Sequence, residues 1–534
     1  MKKVVVILLV LVLLCGCLAG VASCKKSKRG DDVIYIRNLY FSNWNGGDAY
    51  TRMIEEKYGV TFETASYDFS NWMSQVQGDL IGDLPDVFEA NIDSYNFNNT
   101  YINWADGGRI QALPDEVFNE NGRWKHLAKM LNGVSDIQYM KHNGKLYGIP
   151  VVRNVAESDV PFSPFTYVYR RDIAKQLHVD QPNDVYTWAQ FKDLLVAFKG
   201  YFTNGNALGD SEWGFPSILN YYKTAPHCFA ITESGTVVNN YWTDEYQKGL
   251  KLLIEDGWKN YYLGKQPDYA SKQNKVKEEY TSGNIGIFYE NLSMANYTKL
   301  RSEMVGDKSK IDDKTAIMKV IGPDGNYALE GQEQWFSMTL INSEVSENKL
   351  NTILDIMDWL LSEEGTNLAL YGVKDSDYQI VNGEVKLLED GLWEKDAYTG
   401  EFTNSENGAK YLRYMVTLGN DLVDKDPFVQ MVPEKKKAYD LLSEWSAEMM
   451  TAYRAYQSGD TEKTGLRVLV EDPRIKWLQT ENKLDLSSDL LEAANAAVMK
   501  CVFKKGYTFN DYKNEMTNSS WKTVLDEINA NWKK

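Results

Sequence analysis

Residues 33–66, VIYIRNLYFSNWNGGDAYTRMIEEKYGVTFETAS, carry the pattern that indicates the fold. The β-branched run at 33–36 is typical of a buried strand, and it ends in a polar loop at 42–47. Apolar residues then recur at helical spacing over 50–59, where the final Gly is a typical helix stop. Another strand pattern follows at 60–64. The stretch therefore predicts strand, loop, helix and strand, the crossover unit of a parallel sheet.

The same alternation continues along the chain, which predicts an α/β fold with largely parallel sheets. The predicted strands lie at residues 86–90, 144–150, 165–170 and 282–289. The predicted helices lie at residues 71–80, 171–177, 188–198 and 351–361, with Thr187 as the cap of the third. From about residue 405 the pattern is mostly helical and strongly charged.

The N-terminus predicts export and a lipid anchor. Two Lys precede an apolar run that ends in small residues, and Val21-Ala22-Ser23-Cys24 resembles a bacterial lipobox. Residues 1–23 are then a signal peptide, Cys24 is the lipidated residue, bearing acyl chains such as palmitate, and 24–32 form a tether. Leu14-Cys15-Gly16-Cys17 is a weaker second candidate, and an uncleaved membrane anchor is the alternative. Both interpretations place the rest of the chain outside the cytoplasm.

Composition limits the function classes. The net charge of −17 argues against a nucleic-acid partner. The 15 Trp and 34 Tyr suit a sugar or peptide surface, and equally a large core. Cys228 and Cys501 could pair, although two free buried thiols are favoured. No cofactor or metal site is expected, and Asp375 with Asp377 is only a weak Ca²⁺ pattern.

Five segments carry a resemblance to a known family: Leu84-Pro85-Asp86-Val87-Phe88, residues 144–150 (GKLYGIP), residues 169–172 with 182–191 (YRRD and the PNDVYTWAQF stretch), residues 282–286 (SGNIG) and residues 358–365 (DWLLSEEG). They resemble the extracellular solute-binding lipoproteins of bacterial ABC importers, in the carbohydrate-binding group (family 1) typified by the maltodextrin-binding protein. The resemblance spans residues 33–372 and becomes vague after about 380. Chain size and residues 371–378 suggest the large branch of Gram-positive bacteria.

The resemblance implies a type II periplasmic-binding-protein-like fold of two α/β lobes with a ligand cleft between them. Lobe one would comprise 33–152 plus 338–373, and lobe two 153–337 plus 374–534. Hinge strands are expected near 150–167, near 331–340 and after Gly372. Closure of the lobes would report occupancy to the membrane permease.

A sugar site needs flat aromatic faces and polar side chains, and loops after strands supply both. The resemblance places ligand contacts at such loops, and each candidate could instead be a core or capping residue. The predicted ligand-binding residues are Asn43, Trp44, Asn45, Glu89, Asn91, Asp93, Trp213, Tyr289, Glu290, Asn291, Trp335 and Tyr371. Trp44 is expected to be exposed, because it lies among amide side chains.

The sequence thus predicts a non-enzymatic, monomeric, lipid-anchored protein that captures a carbohydrate and delivers it to an ABC permease. A peptide or another solute on the same fold is the first alternative, since acidic loops suit an amine. A secreted glycoside hydrolase is the second, because it needs only two carboxylates at a set separation.

Overall fold

The computed structural model describes residues 29–44, 46–92, 98–153, 165–202, 207–209, 219, 222, 229–231, 234–255, 258–261, 273–291, 300, 304, 314–330, 334–388, 394–395, 402–403, 407–419, 451, 455, 466–469, 496–501, 503–517 and 521–531. The predicted signal peptide, Cys24 and Cys228 lie outside these residues. Within the described part, no helix combines the length and apolar character needed to cross a bilayer.

Helices and strands alternate along most of the described chain. The helices are α1 (Ala49–Tyr58), α2 (Trp72–Ile81), α3 (Asn103–Asp106), α4 (Lys125–Asn132), α5 (Arg171–Gln176), α6 (Trp188–Tyr201), α7 (Asp244–Glu255), α8 (Gln273–Thr281), α9 (Glu347–Leu361), α10 (Glu363–Tyr371), α11 (Gly408–Arg413), α12 (Phe509–Thr517) and α13 (Trp521–Asn531). The strands are β1 (Val33–Asn38), β2 (Thr61–Ser66), β3 (Val87–Ala90), β4 (Gly148–Val152), β5 (Phe165–Arg170), β6 (Val185–Tyr186), β7 (Phe229–Ile231), β8 (Val237–Asn239), β9 (Ile287–Asn291), β10 (Thr315–Val320), β11 (Tyr327–Glu330), β12 (Trp335–Ile341), β13 (Tyr378–Val381), β14 (Glu384–Leu387), β15 (Glu394–Lys395), β16 (Phe402–Thr403) and β17 (Leu466–Leu469).

Local sequence explains the opening crossover unit. Asp48 caps α1 by accepting hydrogen bonds from the first-turn amides, and Gly59 ends the helix at φ 66°, a conformation that suits Gly. The strands β1 and β2 then pair in parallel, with Asn38 opposite Ser66. Thr187 forms a capping box with Gln190 at the start of α6, as predicted.

The first sheet has the order β2-β1-β3-β12-β4. The pairs β1–β2 and β1–β3 are parallel, whereas β12 runs antiparallel to both β3 and β4. All four residues of β3 and all five of β4 are buried, which suits strands covered on both faces.

The second sheet has the order β6-β10-β5-β9. Here β10 pairs in parallel with β6, while β5 is antiparallel to both β10 and β9. The α/β class is confirmed, and all described strands but one in each sheet, β12 in the first and β5 in the second, run in the same direction, as expected of mostly parallel sheets. Both sheets are mixed, because strands that return from one sheet to the other enter against the local direction.

Each sheet has its own hydrophobic core. The first core surrounds the first sheet and includes Ile34, Phe88 and Leu354. The second core includes Tyr169 and Phe198, and a smaller cluster covers the opposite face of the second sheet. Cys501 is a free thiol buried in the second core, as favoured from the sequence.

A late segment, residues 407–419, joins the first core rather than the second. Ala409, Leu412 and Met415 are buried there, although residues from 374 onward were expected in lobe two. The third crossing was likewise expected after Gly372. Asp377 still contacts α1 by accepting a hydrogen bond from the Tyr50 hydroxyl at 2.9 Å, and Val416 is still buried in the first core.

Candidate functional site: the carboxyl edge of the first sheet

The carboxyl ends of β1, β2, β3 and β4 meet at one edge of the first sheet, and antiparallel β12 begins there. Ligands of open α/β sheets bind at this edge. The loops that leave it carry aromatic and polar side chains. We call five of these side chains the edge cluster: Tyr40, Trp72, Arg153, Phe336 and Tyr414.

Phe336 occupies a β-bulge at the start of β12. Trp335 pairs with Val152 and Ser337 with Val151, so Phe336 is an extra residue in the ladder. A bulge re-aims a side chain and is common beside binding sites. The half-buried Phe336 ring lies 6.0 Å from the Trp72 ring at an angle of 25°, and the Arg153 guanidinium lies 5.4 Å from its centroid.

Trp72 packs against the Phe336 ring and is itself fixed in the core. Its indole N–H donates to the Glu89 carbonyl at 3.0 Å, and only 4% of Trp72 is exposed. A buried Trp usually needs such a partner for its N–H. The Phe336 ring is therefore held in one orientation by a rigid neighbour.

Tyr40 and Tyr414 form a second aromatic pair at the same edge. Their ring centroids are 4.7 Å apart at an angle of 32°, and both residues are half-buried. Two backbone hydrogen bonds of β4 hold the Tyr414 segment, Val152 N–H to Val416 O at 3.1 Å and Leu418 N–H to Val152 O at 2.8 Å. Burial, together with the Glu89 charge, raises the pKa of Tyr40, so its hydroxyl stays protonated and can donate a hydrogen bond.

Glu89 lies beneath the edge rather than at an open site. Its side chain accepts hydrogen bonds from the Leu39 amide at 2.9 Å and from the Ser337 hydroxyl at 2.5 Å. Only 1% of Glu89 is exposed, and burial raises its pKa to about 7. The carboxylate thus ties β1, β3 and β12 together, whereas Asp93, the other carboxylate expected to bind ligand after this strand, lies outside the described residues.

Three aromatic residues predicted to bind ligand are buried. Trp44 is 5% exposed, donates to Asp48 at 2.8 Å and stacks on Tyr411, so the expectation of an exposed Trp44 is corrected. Trp335 is 1% exposed in the first core. Tyr371, which is 8% exposed, packs in a small cluster 5.4 Å from the Tyr378 ring.

The other predicted residues are placed less completely. Asn91 is half-buried just after β3, and the backbone of Asn43 ends the turn after β1. Asn45, Asp93 and Trp213 lie outside the described residues.

A matching edge exists on the second sheet. Tyr289 in β9 lies 5.1 Å from Tyr167 in β5, with the rings at 65°. Glu290 and Asn291 end β9 and pair through the backbone with Thr166 and Phe165. β4 ends at the edge of the first sheet with Val152, and β5 begins at the edge of the second sheet with Phe165. The two edges therefore follow one another along the chain.

Sequence reasoning missed all five members of the edge cluster, since Trp72 was placed only within the predicted helix at 71–80 and the other four were not considered. Tyr40 and Arg153 could have been found, because each follows a strand by one or two residues. Phe336 was not selected because the neighbouring Trp335 was chosen as the aromatic residue of this strand, and no local sequence pattern reveals a bulge. Tyr414 carries no signal, because residues 407–419 read as an ordinary core helix.

The edge cluster offers two supported aromatic faces, a hydroxyl donor and a guanidinium. Flat rings bind apolar C–H surfaces, and the polar groups can orient a ligand with several hydroxyls. This combination, on two separate mixed α/β sheets, is typical of a two-lobe solute-binding protein.

Comparison with known proteins agrees. The model of the family described as bacterial extracellular solute-binding protein matches residues 49–400, and the chain belongs to this family. The family and the two-lobe fold inferred from the sequence are therefore confirmed.

Lipoprotein LipO of Bacillus subtilis (strain 168) is 25% identical over 264 residues, which cover 46% of this chain and 49% of that protein. The match thus spans about half the length of this relative.

Two solved structures share the fold over nearly the whole chain. The alginate-binding protein AlgQ2, solved without calcium ion, is 15% identical with a TM-score of 0.60, and the match covers 94% of this chain and 98% of AlgQ2. The Streptococcus pneumoniae ABC-transporter substrate-binding protein FusA, in complex with kestose, is 14% identical with a TM-score of 0.59, covering 94% and 99%. At these identities the likeness concerns the fold.

Proposed function

We propose that this protein captures a carbohydrate, an oligosaccharide, between its two lobes and delivers it to the permease of an ABC importer without altering it. The edge cluster is the observation that carries the proposal. Phe336 supplies an aromatic face backed by Trp72, and Tyr40 with Tyr414 supplies another. The chemistry matches a ring with an apolar face and hydroxyl edges.

Similar proteins support the same ligand class. The structural neighbours include an alginate-binding protein and a protein in complex with kestose, and both ligands are saccharides. With lobe one as 33–152 and 338–373, extended by residues 407–419, Tyr40, Trp72 and Tyr414 belong to lobe one, and Arg153 and Phe336 stand at its boundaries, next to β4 and within β12. Tyr289, Glu290 and Asn291 would face it from lobe two.

A peptide ligand is less well supported than it was by sequence alone. That alternative relied on acidic loops that would bind an amine. Glu89 is buried and already accepts two hydrogen bonds, so its carboxylate is engaged within the protein. The described edge is instead dominated by aromatic side chains and one guanidinium.

The proposal includes an extracellular location at the cytoplasmic membrane. A signal peptide would be removed before Cys24, and acyl chains on Cys24 would hold the monomer beside its permease. The curated relative is itself described as a lipoprotein, which supports this part of the proposal.

Thermal unfolding of the protein from Lys25 onward, with neutral and uronate oligosaccharides and with oligopeptides, tests the ligand class. A ligand that binds only the folded state stabilises it by about 2.7 kcal/mol at one hundred times its dissociation constant. We expect one oligosaccharide series to raise Tm and the peptides to leave it unchanged. Mass spectrometry of the recovered sugar should show no cleavage.

Phe336→Ala should weaken that sugar roughly tenfold or more, equivalent to about 1.4 kcal/mol. Phe118→Ala is a matched control, because Phe118 is also half-buried and lies 4.2 Å from the Lys141 ammonium, but is not part of the edge cluster. Stabilisation by peptides alone would favour the peptide alternative. A cleaved sugar would favour a glycoside hydrolase.

A further inference from the structure

Phe69 lies at the same carboxyl edge as the edge cluster, one strand further out. The Tyr67 amide after β2 donates to the Asn38 carbonyl at 3.2 Å, which fixes the end of β2 beside the end of β1. Residues Phe69–Asn71 form a single 3-10 turn that leads directly into Trp72. Phe69 is thus three residues from the Trp that supports Phe336.

The turn that displays Phe69 is held in place by its own hydrogen bonds. Asp68 accepts from the Ser70 amide at 2.8 Å, and its own amide donates to the Gln75 side chain at 2.8 Å. The Asn71 amide also donates to the Asp68 carbonyl at 3.1 Å. A ring on such a turn is presented in a defined place, which lowers the entropic cost of binding.

Phe69 is 71% exposed, which leaves most of a large apolar side chain in water. Full burial of such a side chain contributes about 1.5–3 kcal/mol, so a ligand that covers the ring gains part of this free energy. Single exposed apolar residues are common, and exposure alone identifies nothing. Phe69 differs from other exposed apolar residues in its position. It lies at the carboxyl edge of the first sheet, next to the exposed residues Asp68, Ser70 and Asn71.

We propose that Phe69 is an outer stacking platform of the sugar site, which binds a sugar ring beyond the rings held at the edge cluster. This inference rests on the proposed carbohydrate function. The aromatic face covers the C–H surface of that ring, and Ser70 and Asn71 offer hydrogen-bonding groups for its hydroxyls. The platform therefore sets the preferred ligand length.

Ile81 provides a matched control at the far end of the helix that follows the Phe69 turn. It is 87% exposed at the last position of α2, whereas Phe69 precedes the first position. The helix has ten residues, which separates its two ends by about 14 Å. Removing either exposed side chain costs little stability, so the folded protein is available for both measurements.

Calorimetric titration of the preferred sugar series, from its shortest to its longest binding member, tests the proposal. Phe69→Ala should leave the shortest member within twofold of wild type and weaken the longer members about tenfold. Phe69→Leu should weaken them similarly, because it keeps an apolar side chain without a flat face. Phe69→Tyr should restore affinity, and Ile81→Ala should match wild type throughout.

The outcomes separate the two proposals. If wild type binds sugars and Phe69→Ala matches it at every length, the outer platform is overturned while the carbohydrate function stands. An equal loss at every length would also overturn it, because Phe69 would then act on the whole site. If wild type binds no sugar, the carbohydrate function fails, and the platform fails with it.

Discussion

The tetrapeptide Phe-Ser-Asn-Trp occurs twice in the first lobe, at 41–44 and at 69–72. Each copy follows one of two neighbouring parallel strands, and each includes part of a 3-10 turn. Both Trp residues are buried, yet Phe41 is 2% exposed and Phe69 is 71% exposed. Identical local sequences therefore have opposite environments.

The difference comes from a distant segment. Tyr411 stacks on Trp44 with centroids 5.4 Å apart, and the Gly408 amide donates to Asp48 at 3.1 Å. These contacts cover the first turn with residues 407–414. The second turn keeps its Phe in solvent at the ligand edge. The comparison teaches that whether a loop belongs to the core or the surface is decided by which later part of the chain returns to it.

The largest expected effect is the contrast between two identical substitutions. Phe41→Ala should lower the free energy of unfolding by about 4 kcal/mol, because it opens a cavity in the core. Phe69→Ala should change it by less than about 0.5 kcal/mol, as for other exposed sites. Urea denaturation measures both. Equal losses of unfolding free energy in the two variants would show that the two turns are packed alike, which would contradict the difference described here.

Gly408→Ala should remove the cover from the first turn. An added Cβ would lie 1.9 Å from the Thr51 hydroxyl oxygen and 2.5 Å from an Asp48 carboxylate oxygen. Overpacking of this kind costs about 3 kcal/mol of unfolding free energy.

The control for Gly408→Ala is Gly78→Ala in α2, where a Cβ meets nothing within 4 Å. A Gly-to-Ala change in an open helical position should stabilise the protein by about 0.5–1 kcal/mol. If both variants were stabilised, residues 407–414 would not be packed on the first turn as described.

Glu89 links the two turns and should make stability depend on pH. Its side chain accepts from the Leu39 amide, and its carbonyl accepts from Trp72. Burial raises its pKa from 4.5 to about 7, so the folded state binds more protons than the unfolded state between those values. The contribution of Glu89 to stability is therefore greatest below pH 4.5 and falls as pH rises towards 7.

For Glu89 alone, the loss between pH 5 and pH 8 should be about 2.5 kcal/mol. Glu89→Gln removes the titrating group, and the difference between the two proteins isolates it from other carboxylates. Chemical denaturation at both pH values gives this difference. A wild-type slope that persists unchanged in the Gln variant would assign the pH dependence to other groups.

The smallest effect concerns the stacked ring over Trp44. Tyr411→Leu keeps an apolar side chain but removes the parallel contact, and it should cost about 1 kcal/mol of unfolding free energy. Tyr139→Leu serves as reference, because Tyr139 is 42% exposed. Indistinguishable denaturation midpoints would mean that the stack adds nothing beyond burial.

Much of the fold could be predicted from sequence, because its signals are local. The strand at 165–170 was predicted with its observed bounds, and the helix predicted at 71–80 lies at 72–81. Thr187 was predicted as a cap and forms one. Such signals depend only on neighbouring residues, so they can be recognised without knowledge of the tertiary structure.

The site could be predicted only in outline. The carboxyl edge was expected, but Trp44 and Trp335 proved to be core residues, since distant chain segments cover them. Phe336 depends on a bulge between β4 and β12, which no single-strand pattern reveals. Tyr414 reaches the edge from beyond the family match, which ends at residue 400.

The return of residues 407–419 to the first core also sets the timing of assembly. Asp48 and Gly408 are 360 positions apart, and a ribosome adding about 5–20 residues per second needs on the order of 20–70 s to supply the second after the first. Until then the first lobe lacks the part of its core that Ala409, Leu412 and Met415 supply. For a chain exported as we propose, this delay favours translocation, because a translocation channel threads unfolded polypeptide. The separation of these two residues along the chain therefore sets how long the core of the first lobe stays incomplete during synthesis.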